Sequence, residues 1–351
     1  MIGVGIVGCN YGRTVLIPAF RDDPRCEVIA LAGTDAERTA EFARAANVAC
    51  GLGNWRALVE QVDVAVVAIA VPPDLQPAIA QYALELGKPV FLEKPLAANV
   101  TDAKMIVESA RRSGCPTIID FNFPELPSWR RAKAILDAGE IGRLQAVVAT
   151  WNFEHHATHL GVDNWKTRRD GGGGLLGNFA SHHFHNLEWL CGPIAGLNAR
   201  IFSLPHTNAD ASIALALAFA SGASGSLQIS CTAVLGSGQR IEVYGEEGTF
   251  VLSNASADYF RGFELRLGRQ GDGVLKPVPI ENTREDPFSD SRAAPVKRLV
   301  RRFMDACESG SSASPGAAEG YRVQCLIDAA RRAHATGRWI DVAPVDGAGG
   351  N

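Results

Sequence analysis

Ten residues near the amino terminus, GIVGCNYGRT (5–14), have the composition of a turn that holds a phosphate. A dinucleotide turn uses glycine three times: to leave a strand tightly, to let the backbone approach a pyrophosphate, and to let the next helix pack close. Gly8 fits the first role. In the spacing G-x-G-x-x-G the other two positions fall on Asn10 and Arg13, with Gly12 one residue early. Asn tolerates a left-handed backbone better than most side chains, and a turn shorter by one residue brings Gly12 into the third role. Arg13, near a helix start, can face a phosphate. The competing reading is a plain strand-to-helix connection.

A second stretch rich in chemistry is FEHHATHL, followed by NWKTRRD. Glu154, His155, His156 and His159 invite a metal reading, but their spacing matches no recognised ligand pattern, and no metal is expected. A substrate-recognition loop and a solvated loop both remain open. In the first case Trp165, Lys166 and Arg168 are contact candidates, and the arginines can grip a carboxylate or phosphate. Asn122, in FNFPE (121–125), is a further candidate contact.

Cofactor choice turns on the end of the second apolar run, LAGTDAER. NAD-selective folds place an acid there, on the ribose 2′-hydroxyl. Gly33 stands at that point. Thr34 and Glu37 read as a capping box, which puts Asp35 in the first helical turn. Without the acid a 2′-phosphate is not repelled, and Thr34, Arg13 or Arg38 can contact it. NADP is therefore slightly favoured over NAD.

These residues need elements to position them. Apolar runs at 3–8, 26–33, 62–70, 88–94 and 116–121 read as buried parallel strands, with helical spacing between them at 12–21, 35–46, 74–86 and 101–113. Strand and helix alternating in this way predict a doubly wound Rossmann sheet. After 122 the pattern changes to a helix at 123–139 and then strands at 145–153, 198–204, 212–220, 225–233, 239–245, 248–253 and 263–268. Ile213, Leu215, Leu217 and Phe219 alternate with alanines, as in an open, mostly antiparallel sheet. Two late helices are expected at 293–308 and 315–335. The expected domains are 1–122, binding dinucleotide, and 123–351, an α+β domain for substrate and association, with the late helices free to pack back on the first.

The chain has 351 residues, 46% of them hydrophobic and 21% charged, an ordinary globular composition long enough for about two domains. A net charge of −4 gives no reason to expect nucleic acid or an anionic membrane as partner. There is no apolar run of about 18 residues and no basic, signal-like leader, so neither membrane span nor export signal is expected. Eight scattered cysteines, without a C-x-x-C pair, argue for thiols in a reducing cytoplasm.

VFLEKPLA (90–97) and GGGGLLGNFASHHFHNLEWLCGP, together with the first turn, RRAKAILDAGEIGRL (130–144) and AHATGRWIDV (333–342), resemble the Gfo/Idh/MocA oxidoreductases, the glucose–fructose oxidoreductase and inositol dehydrogenase group. The resemblance runs over nearly the whole chain. It implies that Lys94 of Glu93-Lys94-Pro95 lies near a nicotinamide and handles protons, and that Pro72 and Pro73 line the cofactor cleft. The family signature GGG-x-L-x-D-x-G-x-H-x-x-D places its aspartate at Asn178, its histidine at His182 and its second aspartate at His185. By helical spacing the three share a face. His182 becomes the general acid/base candidate, because imidazole titrates near neutrality. Asn178 departs from the pattern: it can bond a hydroxyl or orient His182 but cannot act as a base.

The resulting expectation is reversible hydride transfer between a nicotinamide and a secondary alcohol or ketone of a sugar, sugar derivative or polyol. Lys94, His182 and Asn178 form the catalytic set. Gly8, Asn10, Tyr11, Gly12, Arg13, Gly33, Thr34, Arg38, Ala70, Pro72, Glu93 and Lys94 hold the cofactor; Asn122, Trp165, Lys166, Arg168 and His185 face substrate. An imine or enamine reductase, a redox-assisted lyase and a non-catalytic nucleotide sensor are the alternatives. The open sheet implies a homodimer or homotetramer.

Overall fold

The computed structural model describes residues 1–155, 158, 162–204, 209–280, 288 and 290–348. They form two compact units: Met1–Asn122 with the described part of Asp286–Gln324, and the described parts of Phe123–Glu285 and Cys325–Gly349.

The first unit is a six-stranded parallel sheet in the order β3-β2-β1-β4-β5-β6. The strands are β1 (Ile2–Val7), β2 (Cys26–Ala32), β3 (Cys50–Leu52), β4 (Val66–Ile69), β5 (Val90–Leu92) and β6 (Thr117–Ile119). The helices between them are α1 (Ile17–Arg21), α2 (Ala36–Ala45), α3 (Trp55–Val59), α4 (Gln76–Glu85) and α5 (Val100–Ser113). A doubly wound sheet was expected, and the chain forms one. The pair β3 and α3 was not anticipated. A three-residue strand lies below the length at which apolar patterning is readable. The 62–70 run shortens to β4 because Val62 is 91% exposed.

Much later in sequence, α8 (Ala293–Ser309) also belongs to this unit. It buries Val296, Leu299, Val300 and Phe303 along one stripe. Phe303 meets Phe91 edge-on at 6.1 Å, and Phe91 meets Phe20 at 5.6 Å. Each such ring contributes on the order of 1.5–3 kcal/mol by burial, so this distant helix is integral to the unit's core.

The second unit holds a nine-stranded sheet in the order β14-β13-β12-β11-β7-β10-β9-β8-β15. Its strands are β7 (Leu144–Asn152), β8 (Ile194–Ser203), β9 (Asp210–Phe219), β10 (Ser224–Ser230), β11 (Gly238–Gly245), β12 (Gly248–Asn254), β13 (Glu264–Arg269), β14 (Lys276–Pro277) and β15 (Ile340–Asp341). β7 and β10 pair in parallel; the other pairings are antiparallel. The expected mostly antiparallel sheet is thus present. α6 (Pro127–Asp137) and α7 (Ser181–Cys191) bury Trp129, Ile135, Phe184 and Leu187, and of the last long helix, α9 (Ala317–Thr336), the part from Cys325 on belongs to this unit. The helix expected from 123 starts at Pro127, where proline is preorganised for the first turn; Phe123–Glu125 form a short 3₁₀ turn.

One face of this sheet is packed and the other is not. Ile213, Leu215, Leu217, Leu227 and Ile229 are buried. Opposite them, Ala214, Ala216, Ser226 and Gln228 are exposed. The strands therefore read apolar inside and small or hydroxylated outside.

His183 sits in the packed layer. It is fully buried, Trp151 lies 5.2 Å from its ring, and its Nε2 is 3.2 Å from the Gln239 amide nitrogen. Burial pushes its pKa down to about 3, so the folded ring stays neutral. The unfolded imidazole, near 6.5, gains a proton that the folded one refuses. Stability contributed above about pH 6.5 is consequently lost as pH falls toward 3, by up to about 1.4 kcal/mol per pH unit. Urea unfolding of the protein from pH 7 to 4 should show a steeper acid loss than His183→Gln; parallel slopes would refute this account.

Candidate active site

The phosphate turn is built from close approaches. Gly8 leaves β1 with φ +113°, and a Cβ there would lie 2.1 Å from the Ala70 carbonyl oxygen at the end of β4. No other residue type fits. A Cβ on Gly12 would lie 2.9 Å from Ile6 Cγ2. Gly12 thus supplies the close helix-to-strand packing expected of the third glycine. Helical backbone begins at Asn10, and Gly12–Leu16 forms a widened π turn before α1. Asn10 was expected to be left-handed; it is in the helix and exposed, so Gly8 alone takes the left-handed position in this turn. The residues fit a dinucleotide: a bare backbone crossing opens onto a helix start, where N–H groups favour a phosphate.

The cofactor-choosing end of β2 differs from expectation at one point. Asp35, not Thr34, is the N-cap of α2, its side chain accepting the Arg38 N–H at 2.9 Å. The first helical position falls one residue later than the capping box implied. A Cβ on Gly33 would lie 2.5 Å from Thr39 Oγ1 and 2.8 Å from Cys9 Sγ, so any side chain there would have to displace those two. Nearby, the Arg13 guanidinium lies 3.8 Å from the Phe42 ring centroid and that of Arg38 5.2 Å. Arg13 Nε also donates to the Cys9 carbonyl at 2.9 Å. Thr34 and Arg38 are exposed. Two cations therefore flank one ring of α2.

Lys94 stands one residue beyond Glu93, which follows β5, and is half-buried. Its bond to Pro95 is cis. The turn is held by Gln76, which is 1% exposed. Gln76 Nε2 donates to the carbonyls of Glu93 (2.7 Å), Leu96 (2.9 Å) and Pro95 (3.3 Å), and its Oε1 accepts the Glu93 N–H at 3.1 Å. Glu93 Oε2 accepts the Lys94 N–H at 2.9 Å. Each orphaned carbonyl would cost about 1–3 kcal/mol, so Gln76 fixes the backbone carrying Lys94. Reading from sequence missed it, although a glutamine opening a helix three residues after Pro72-Pro73 was a visible oddity. Pro72 begins that turn, its carbonyl accepting the N–H groups of Leu75 and Gln76. Tyr11, expected at the cofactor, donates its hydroxyl to Asp120 Oδ2 at 2.7 Å. Asn122 is 3% exposed, and its Oδ1 receives no hydrogen bond.

In the second unit the signature glycines lead into a helix whose first part, Leu176–Ala180, is a π turn continuing into α7. Asn178 lies in that turn, so regular α-helical spacing does not carry it onto the face of His182 and His185 by counting. Asn178, His182 and His185 are 6%, 6% and 7% exposed. The His182 ring stands edge-on to Phe123 at 5.0 Å. Burial pushes His185 down to about 4, against the Asn186 contact that raises it, so it rests neutral.

Asp210, on β9, anchors this helix: its Oδ2 accepts the Leu176 N–H at 2.5 Å. Gly174, with φ +75°, leaves its carboxylate room, since a Cβ there would lie 2.6 Å from Oδ1. A negative charge at a helix start is favourable. No local signal marked Asp210, 34 residues from its partner.

The loop candidates separate. His155 Nδ1 lies 2.8 Å from Thr158 Oγ1, and its ring stands edge-on to Phe179 at 5.1 Å. His156 and His159 lie outside the described residues. Among the described residues no group of three His, Cys, Asp or Glu side chains could hold a metal. Trp165 is half-buried and Lys166 exposed. The Arg168 fork engages Asp163, at 2.6 Å through both nitrogens. A cavity of about 320 Å³, lined by Trp151, Glu154, Gln239, Asn254 and Tyr259 among others, opens in this unit. All eight cysteines are free thiols, and among the described residues no helix is long and apolar enough to cross a membrane.

Known proteins give the frame for this geometry. Residues 2–121 match the model of an oxidoreductase family with an NAD-binding Rossmann fold, and 129–251 match the GFO/IDH/MocA C-terminal domain. An uncharacterized oxidoreductase of Synechocystis sp. is 30% identical over 358 residues, covering 98% of this chain and 96% of that protein. Levoglucosan dehydrogenase of Pseudarthrobacter phenanthrenivorans is 26% identical over 360 residues, covering 90% and 89%. Inositol 2-dehydrogenase of Rhizobium meliloti is 24% identical, covering 98% of each. A solved levoglucosan dehydrogenase, in complex with NADH and levoglucosan, superposes with a TM-score of 0.88 at 23% identity, over 98% of this chain and 100% of that one. With two family models in tandem and a full-length relative at 30% identity, the chain belongs to the Gfo/Idh/MocA family of NAD-binding oxidoreductases.

Proposed function

We propose that the protein is a dehydrogenase that moves a hydride between a nicotinamide dinucleotide and a secondary alcohol or ketone carbon of a sugar, sugar derivative or polyol. One observation carries the reading: Lys94 stands at the ligand edge of the parallel sheet, on a turn clamped by Gln76. The named functions of full-length relatives, levoglucosan and inositol dehydrogenases, support the substrate class.

When bound, the nicotinamide supplies the hydride acceptor or donor. Gly8, Gly12 and the helix start at Asn10 hold the pyrophosphate. Lys94 and His182 handle the hydroxyl proton, and their donors offset charge developing on oxygen. Asn178 orients the substrate hydroxyl or His182, because its amide cannot take a proton. That substitution also supports a second chemistry on the same fold, reduction of a cyclic imine, for which a base is dispensable.

NADP is the favoured dinucleotide. Gly33 leaves the end of β2 without an acid, and Arg13 and Arg38 flank Phe42. Association is part of the reading as well. Phe202 (57% exposed) and Val148 (37% exposed) share the open sheet face with Ala214 and Ala216, and a second copy would cover them. A reducing compartment suits the eight free thiols.

Three measurements test this. Against a panel of sugars, polyols, ketones and cyclic imines with both dinucleotides, Lys94→Ala and His182→Ala should each lower turnover on the true substrate about 10²–10⁴-fold; full turnover in either variant removes that residue from the mechanism. Arg38→Ala and Arg13→Ala should each weaken NADPH binding about 10–100-fold, the worth of a charge-assisted contact, and leave NADH binding nearly unchanged; equal losses for both dinucleotides would remove the 2′-phosphate role. Light scattering at micromolar concentration should report a dimer or tetramer, and a monomer would refute association.

A further inference from the structure

Glu93, Asp120 and Tyr11 form a cluster of ionisable groups next to Lys94 whose protonation has not yet been assigned. Asp120 follows β6 directly and is 1% exposed. Tyr11 donates to its Oδ2 at 2.7 Å. Glu93 follows β5 as Asp120 follows β6, and Leu92 pairs with Ile119, so the two acidic residues stand side by side at adjoining strand ends; Glu93 Oε2 accepts the Lys94 N–H. Asp120 Oδ1 is buried and receives no donated hydrogen bond.

Two ionised carboxylates have no proton to place between them, and a buried carboxylate oxygen without a donor is costly. Both difficulties vanish if one of the two groups is an acid. The surroundings agree. Burial pushes Asp120 well above the ordinary carboxylate range, and the charge of Glu93 adds to it, while Tyr11 and Lys94 oppose. Burial also raises Glu93, against Lys94 and Arg292. The groups facing the pair are Tyr11, Lys94 and Arg292, the last held by Asp290 with its guanidinium 5.0 Å from the Tyr11 ring centroid.

We propose that Glu93 and Asp120 store a single proton between them and act as a positioning pair that sets the acidity of Lys94. With the proton stored, the lysine faces one negative charge. Without it, two charges would pin the ammonium form and hinder its release of a proton. The effect on Lys94 matters for turnover only if the lysine handles the proton, and in that it rests on the function proposed above. The stored proton itself does not, and it can be measured without substrate.

The infrared spectrum of the protein at neutral pH should contain a protonated-carboxyl stretch that is missing from Asp120→Asn. Tyr11→Phe, which leaves both carboxyl groups in place, should keep the band and shift it. No such difference band in either variant would overturn the proposal. Unfolding equilibria give a second arm. The folded pair binds a proton that an unfolded Asp, near pH 3.9, has released, so stability is fully present below that pH and is lost as pH rises. Relative to Asp120→Asn, the unfolding constant of the parent protein should rise by up to about tenfold per pH unit above pH 4, until the folded pair ionises. A pH-independent ratio would overturn it. For the lysine, NMR titration of isotope-labelled, methylated Lys94 should show the double variant Glu93→Gln with Asp120→Asn, which removes the one remaining negative charge, raising its acid dissociation constant about tenfold or more. An unmoved titration would overturn the coupling to Lys94 whether or not any substrate is turned over.

Discussion

The ligand edge of the first sheet depends on how closely the ends of β1 and β4 approach. The Ala70 carbonyl stands where a side chain at Gly8 would begin. That approach lets the chain turn off β1 at once, start a helix at Asn10 and leave its first N–H groups facing outward. Neighbouring strand ends then carry Glu93, Lys94 and Asp120 to the same edge. A bulkier residue at position 8 would push the two strands apart and displace this whole edge, without touching any group that does chemistry.

Much of this was legible in the sequence. Parallel strands covered by helices on both faces are near-continuous apolar runs, and β1, β2, β5 and β6 fell within a few residues of where their runs lay. The alternation of Ile213, Leu215, Leu217 and Phe219 likewise announced a one-sided sheet. Lys94 and His182 were visible through motif resemblance, and Gly12 through the need for a close helix crossing. What could not be read was pairing across long separations. Asp210 reaches a helix start 34 residues back, and Tyr11 reaches Asp120 across 109 residues. No local pattern encodes such a contact. The capping box at Thr34 failed for a different reason. Two adjacent residues could each cap α2, and Asp35 has the extended backbone that the cap requires.

The two units solve one problem in similar ways. Each must present polar groups from the start of a helix while keeping the helix tight against its sheet. In the first unit glycines remove side chains at the crossing. In the second, the glycine-rich run gives up its side chains to make room for a carboxylate from β9, which satisfies the helix start directly. In the second unit Asn178 and His182 then sit just beyond a helix start where the Leu176 N–H is already satisfied.

Both helices also carry a five-residue π turn near their start, Gly12–Leu16 and Leu176–Ala180. Such a turn carries one residue more than a regular helix needs over the same rise. Loss of a single residue there would relax the segment into ordinary α-helix, rotating everything upstream by roughly 100° about the axis. A glycine finger or an amide would swing to another side while the body of the helix stayed packed. Each of these helices therefore holds a built-in allowance for a one-residue gain or loss, by which a lineage could re-aim its binding groups and leave the scaffold intact.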